Sequence, residues 1–162
     1  MILGIDPGLA STGYAVVERS GSHVHPVDWG VIRTAPSSPH PQRLLEIFTR
    51  VTELLETRQI DSVAIESWFV HPVSTAAMGM AEARGAVQVA LARAGIEVVE
   101  YSPNTIKQSV TGSGRADKRQ VRAMVERLSG VDPGSDHAGD AMAAAICHLS
   151  GAALANAIRR AR

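Results

Sequence analysis

Apolar and polar positions along the first third of the chain follow a short period. Met1 to Ile5 is an apolar run that Asp6 breaks, Pro7-Gly8 turns the chain, and Thr12 to Val17 resumes with β-branched and aromatic residues, so the pattern predicts strand, turn and strand with an acid at the hinge. His23 to Thr34 reads as a third extended segment bent at Pro26 and Gly30, and Ala35 to Pro41, rich in Pro, Ser and His, reads as a loop. The period then changes. Leu44, Leu45, Ile47, Phe48, Val51, Leu54 and Leu55 recur at helical spacing and predict an amphipathic helix. Asp61 to Glu66 (DSVAIE) predicts a short buried strand that again ends in an acid. Ser74 or Thr75 caps a long helix running to about Ala94 and stopped by Gly95, and Ile96 to Tyr101 is another strand. Pro103 opens a short helix, Gly112-Ser113-Gly114 breaks it, and Asp117 caps a helix to about Leu128. After the turn Asp132-Pro133-Gly134, the last helix starts near Ser135 or Asp136. A three-strand antiparallel meander followed by βα crossovers predicts an α/β fold, with a mixed five-stranded sheet and helices on both faces.

Composition adds bounds. At 162 residues the chain can bury a core without disulfides or metal staples. No repeat, linker or low-complexity segment divides it, so the expectation is one domain over residues 1–150, with a basic tail over 151–162 that continues the last helix or is disordered. The single cysteine, Cys147, lies in an alanine-rich helical context, which excludes a disulfide framework and a zinc spacing. There is no charged lead-in with a cleavage site and no apolar run approaching a membrane span, so a cytoplasmic protein without a membrane partner is expected.

Net charge is zero, which argues against a uniformly basic nucleic-acid binder, but the charge is unevenly spread. Lys107, Arg115, Lys118, Arg119, Arg122 and Arg127 face only Asp117 and Glu126 in one stretch, which holds both lysines of the chain. Arg159, Arg160 and Arg162 close the sequence. A local basic patch supplies phosphate contacts even in a neutral protein, and a solvated helix face is the competing reading.

Three places carry candidate chemistry. Asp6 ends the first strand, Glu66 ends the fourth, and His137 and Asp140 lie three apart at the start of the last helix, on one face. Singly, each has an ordinary explanation: a turn aspartate bonding its own backbone, a solvated strand end, a capping or packed histidine, an acid suited to the helix dipole. If the first and fourth strands are neighbours, the three carboxylates converge and repel, raising their own pKa values. Divalent cations relieve that repulsion, and two of them about 3.5–4 Å apart are the arrangement that hydrolyses phosphodiesters.

The segments GIDPGxxxTGYAV, AIExxF and H-x-x-D-A at the head of an alanine-rich last helix, in this order and over Met1 to about Ser150, resemble the RuvC-type Holliday junction resolvases of the ribonuclease H-like nuclease superfamily. The resemblance implies a structure-selective endonuclease that resolves four-way DNA junctions by paired symmetric nicks in recombination and repair. It implies Asp6, Glu66, His137 and Asp140 as the catalytic, metal-binding set for two divalent cations, Mg2+ or Mn2+. The family fills the third place with Asp in some members and His in others; here it is His137, and a softer ligand without negative charge leads to an expected Mn2+ preference. Lys107 and Lys118 fall where the family has basic residues at the scissile phosphate or along the DNA path, and Arg115, Arg119 and Arg122 extend that candidate DNA-binding stretch. Phe69 matches the family's aromatic near the junction crossover, with core packing as the alternative, and Trp68 shares the task or packs. The implied partners are junction DNA, a second copy of the chain, and the RuvA and RuvB branch-migration proteins. Ala76, Gly79, Ala83, Ala86 and Ala90 form a small-residue seam that suits either that second copy or the chain's own sheet.

Three other readings compete with this one. The first hairpin also suits the phosphate-holding hairpin of the actin and sugar-kinase fold, but no second such hairpin and no GxxxxGK[ST] loop accompany it. A related ribonuclease H-like nuclease acting on ribosomal RNA precursors is the alternative that the first segment alone does not separate. A non-catalytic junction-binding module is opposed by all four acid and imidazole positions being filled.

Overall fold

The computed structural model describes residues 1–21, 23–67 and 75–160, with side chains described for all of these except 75–76 and 152–160. The elements run β1 (Ile2–Asp6), β2 (Ser11–Ser20), β3 (His23–Arg33), α1 (His40–Glu56), β4 (Ser62–Glu66), α2 (Thr75–Ala94), β5 (Glu97–Tyr101), α3 (Pro103–Thr111), α4 (Lys118–Ser129) and α5 (Asp136–Arg160). The five strands form one sheet in the order β3-β2-β1-β4-β5. The first three pair antiparallel as a meander, and β1–β4 and β4–β5 pair parallel, as the crossover helices require. The anticipated mixed sheet is the one found.

Strand alternation splits the core in two. Leu3, Ile5, Val16, Val63 and Ile65 point to one face and pack with Ile47, Val51 and Leu55 of α1 and with Ala83, Val87, Ala90 and Leu91 of α2. Ile2, Ala15, Val17 and Ala64 point to the other and pack with α3, α4 and the alanine-rich stretch of α5. At about 1.5–3 kcal/mol for each large aliphatic side chain buried, the first face is held mainly by bulk. The second is held by closeness. A Cβ placed on Gly4 would lie 1.9 Å from the Ala141 carbonyl oxygen, and one on Gly13 would lie 2.0 Å from the His137 carbonyl oxygen. The backbone of α5 therefore rests on two bare stretches of β1 and β2, where only glycine fits.

Local signals start α3 and α4 where they were anticipated, whereas α1 begins at His40, inside the segment read as a loop, and Ser74, one of the caps anticipated for α2, lies outside the described residues. Ser102 accepts a hydrogen bond from the Thr105 amide with Pro103 in the first turn of α3, and Asp117 and Gln120 form a reciprocal capping box at α4. The bend at Pro26 is a bulge: Val16 pairs with Asp28 and Val17 with Pro26, leaving Val27 without a partner on the edge strand β3. The described part of the small-residue seam of α2 turns inward, the Ala76 side chain lying outside the described ones: Gly79 lies against Leu9, and Ala83 and Ala90 are buried in the sheet-facing core. The seam therefore serves the chain's own packing. The outward side of the α1–α2 layer instead exposes Leu45, Met78 and Val89 at 60%, 54% and 60%. Among the described residues no helix is long and apolar enough to cross a membrane.

Candidate active site

The register of β1 with β4, Ile5 opposite Ile65, brings Asp6 and Glu66 to adjacent strand ends on the α5 side of the sheet. Asp6 is not spent on its own turn. Thr12, fully buried, accepts from the Gly8 amide and donates to the Gly8 carbonyl, so the Pro7–Ala10 turn is held without the aspartate. Gly13, the register partner of Asp6, lets α5 lie against the strands, and His137 thereby reaches Asp6 with Nδ1 2.7 Å from Oδ2. An ionised carboxylate only accepts, so Nδ1 is the donor in this pair.

Asp140 follows one turn later on α5. It lines a cleft of about 250 Å³ with Glu66, Lys107 and Lys118, and a neighbouring cavity of about 310 Å³ is lined by Asp6, Pro7, Glu66, Ser67, Met80, Arg84 and Pro103. Glu66 borders both. Burial raises the Glu66 carboxyl above the usual carboxylate range, the charges of Asp140 and Asp6 push it further, and Lys107 pulls it back. Burial likewise raises Asp140, against Lys118 and with Asp6 and Asp136 adding repulsion. Lys118 stands between two acids, its Nζ 3.0 Å from Asp136 and 3.8 Å from Asp140. Its hydrogen bond to Asp136 raises the ammonium and lowers that carboxyl.

This donor set suits hard divalent cations: three carboxylates from three elements, two of them destabilised by burial and like charge, plus an imidazole whose Nε2 is not taken by Asp6. Among the described residues no three acidic, histidine or cysteine side chains close on a common ion position. Asp6 and His137 touch each other, while Glu66 and Asp140 face the adjoining cleft.

The other anticipated residues divide. Lys107 and Lys118 reach the cleft. Arg115 and Arg119 are exposed and make no ion pair among the described residues. Arg122 is engaged by Glu126, Asp132 and Asp136 at 3.0, 3.1 and 3.7 Å, and so ties α4 to the turn before α5. Phe69 and Trp68 lie outside the described residues. Two residues escaped the sequence reading. Asp136 lies one residue before the motif position His137, yet it holds Lys118. Arg84, whose Nη1 donates to the Glu66 carbonyl oxygen at 3.0 Å, carried one faint signal, an arginine beside buried positions of a small-residue helix.

Comparison with known proteins follows the same lines. The family model described as crossover junction endodeoxyribonuclease RuvC matches residues 2–148. A crossover junction endodeoxyribonuclease RuvC of Desulfitobacterium hafniense is 41% identical over 158 residues, covering 96% of each chain. One from Treponema denticola is 43% identical over 151 residues, covering 92% of this chain and 85% of that one. Among solved structures, T. thermophilus RuvC in complex with Holliday junction substrate is similar over 95% of each chain, with a TM-score of 0.89 and 34% identity.

Proposed function

This chain belongs to the crossover junction endodeoxyribonuclease RuvC family, and from that premise we propose that it is a metal-dependent endonuclease that resolves four-way DNA junctions by paired, symmetric nicks in recombination and repair. The observation that carries this reading is the meeting of Asp6 and Glu66 at adjacent strand ends with His137 and Asp140 of α5, beside two lysines. Two divalent cations held by these four residues would activate water and stabilise the leaving 3′ oxygen, giving ligatable ends with 5′ phosphates.

The protein's own side chains bind and orient. The raised carboxyls of Glu66 and Asp140 mark where positive charge is wanted. Lys107 and Lys118 offset phosphate charge beside the reacting group, and Arg115 and Arg119 extend the contact along the DNA. Asp136 holds Lys118 at the cleft mouth. Phe69 stacks on an unpaired base at the crossover, a contact indifferent to sequence. The exposed Leu45, Met78 and Val89 suit a second copy of the chain, and a two-fold dimer presents two identical sites to two equivalent strands. Association with RuvA and RuvB rests on the family alone.

Cleavage of a synthetic four-way junction, with linear duplex and structured RNA as controls and metal varied, tests the reading. Symmetric nicks in the junction only are expected; equal cutting of duplex, or cutting of RNA alone, would overturn it. His137 replaces a carboxylate with a neutral, softer ligand, so Mn2+ should support faster cutting than Mg2+. His137→Asp should shift that preference toward Mg2+, and an unchanged ratio of the two rates would remove His137 from the ligand set.

A further inference from the structure

Arg84 lies mid-way along α2 and is 13% exposed, with Nη2 paired to Glu100 of β5 and Nη1 3.0 Å from the Glu66 carbonyl oxygen. A guanidinium buried that far needs partners, and Glu100 alone would meet that need. The second acceptor is the informative one. Continuing the β1–β4 register past Ile5 and Ile65 sets Asp6 beside Glu66. The Ser67 amide donates to the Tyr101 carbonyl of β5 at 2.7 Å, so the carbonyl one residue earlier points the other way, toward β1. The next ladder donor on β1 would be the amide of residue 7, and residue 7 is proline, which has none. The sheet therefore leaves the Glu66 carbonyl without a donor at the strand end that aims a catalytic carboxylate. Arg84 reaches across from α2 and supplies it.

We propose that Arg84 is a positioning residue for Glu66: it replaces the hydrogen bond that Pro7 cannot make and so holds the end of β4 in line with Asp6. The reaction it serves rests on the junction-cutting reading above; the geometry does not. Proline at position 7 ends the β1 ladder beside Glu66, and the arginine supplies the donor that the neighbouring strand lacks there. Glu100 takes the other nitrogen, Nη2, so the arginine ties the helix bearing the exposed Met78 and Val89 to both β4 and β5.

The test compares Arg84→Met, Arg84→Lys and Glu100→Gln by junction cutting in a single turnover at saturating protein, junction affinity, Mn2+ binding followed by electron paramagnetic resonance, and melting. Arg84→Met should slow cutting and weaken Mn2+ binding by about tenfold or more, as loss of a partner that orients a ligand typically does, with junction affinity within about twofold. Arg84→Lys, which keeps one donor, should recover part of both. Glu100→Gln should keep cutting within about threefold while lowering the melting temperature, because the carbonyl keeps its donor. Cutting and Mn2+ binding unchanged in Arg84→Met would overturn the proposal. So would equal losses of rate and melting in Arg84→Met and Glu100→Gln, which would make the arginine a structural ion pair only. Should Arg84→Met fail to fold, Arg84→Lys slower than Glu100→Gln supports the proposal and the reverse order sinks it. Wild type that binds Mn2+ but leaves junctions intact, with Mn2+ binding weakened in Arg84→Met, would overturn the junction reading and leave this one standing.

Discussion

Helix α5 carries two histidines, His137 and His148, on one face about three turns apart, and they meet opposite ends of the site-bearing strands. His137 stands half-exposed against the Asp6 carboxylate, in a region where Glu66 and Asp140 are held above their ordinary pKa values by burial and like charge. His148 is enclosed between hydroxyls, with Nε2 2.8 Å from Ser62 Oγ and Nδ1 2.9 Å from Tyr101 Oη. Burial lowers its pKa, against a weaker pull upward from Glu97. Helix, face and side chain are the same; the partners differ. One end gathers carboxylates whose repulsion Lys107 and Lys118 only partly offset, which is the feature the proposed cation site rests on. The other satisfies its polar atoms internally and holds the helix down.

The largest effects should come from removing the charge at the first end. Asp6→Asn, Glu66→Gln and Asp140→Asn should each reduce junction cutting by about a hundredfold or more, while junction affinity, set mainly by basic contacts to phosphate, changes little. Glu66→Gln and Asp140→Asn should also raise the melting temperature at neutral pH. The folded state prefers these two carboxyls protonated, so their contribution favours folding in acid and is lost as pH rises through the raised values. A lower melting temperature in both variants at neutral pH would mean that the site is not repulsive.

Next in size is the contact that joins the two regions to the sheet. Gly13→Ala forces a methyl onto the His137 carbonyl and should cost about 1–3 kcal/mol or more, with cutting lost beyond what the stability change explains. Gly139→Ala, on the same helix with its nearest neighbour 3.9 Å away at Pro133, should instead gain up to about 1 kcal/mol. Denaturant titration of the two distinguishes close approach from a general intolerance of alanine.

The far end should show the opposite pH signature. The folded state prefers His148 neutral, so its contribution is complete above the ordinary imidazole value of 6.5 and is lost as pH falls below it. His148→Gln should cost about 1 kcal/mol at pH 8 from imperfect hydrogen bonding, flatten stability between pH 6.5 and the lowered value, and leave cutting unchanged. An undiminished acid slope in this variant would assign that slope to other groups.

The smallest effects belong to the rim. Arg119→Ala should reduce the salt dependence of junction binding by about one unit of slope, and Arg122→Ala by less, because the Arg122 guanidinium is already committed to Glu126, Asp132 and Asp136. Equal slopes for the two would show that DNA draws Arg122 out of its ion pairs.

Much of the fold was legible because each signal was local. The change of period near Pro41, the Asp117 cap of α4 and the Pro103 start of α3 depend on residues within a turn or two of one another. The candidate site was half legible. Asp6 and Glu66 were visible as acids ending apolar strands, and His137 with Asp140 as a pair one turn apart, while their meeting depended on which strands were neighbours. The small-residue seam of α2 read equally well as an outward or inward surface, because a stripe of alanine and glycine marks close approach without saying to what; Leu9 and the sheet settled it.

By itself the sequence determined the order of the elements, the Asp117 cap, the carboxylates at the strand ends and the family to which the chain belongs, since all of these are written in residue type and spacing. The tertiary structure decided which groups share a partner. Thr12 releases Asp6 from its turn, Asp136 takes hold of Lys118, and Arg84 reaches a carbonyl that Pro7 leaves bare, and each of these joins residues whose contact exists only once the sheet has set its register. Hydrogen bonds and fields act over a few ångströms, so chain separations of 18 residues for Arg84 and 131 for His137 hide them from any periodicity along the chain.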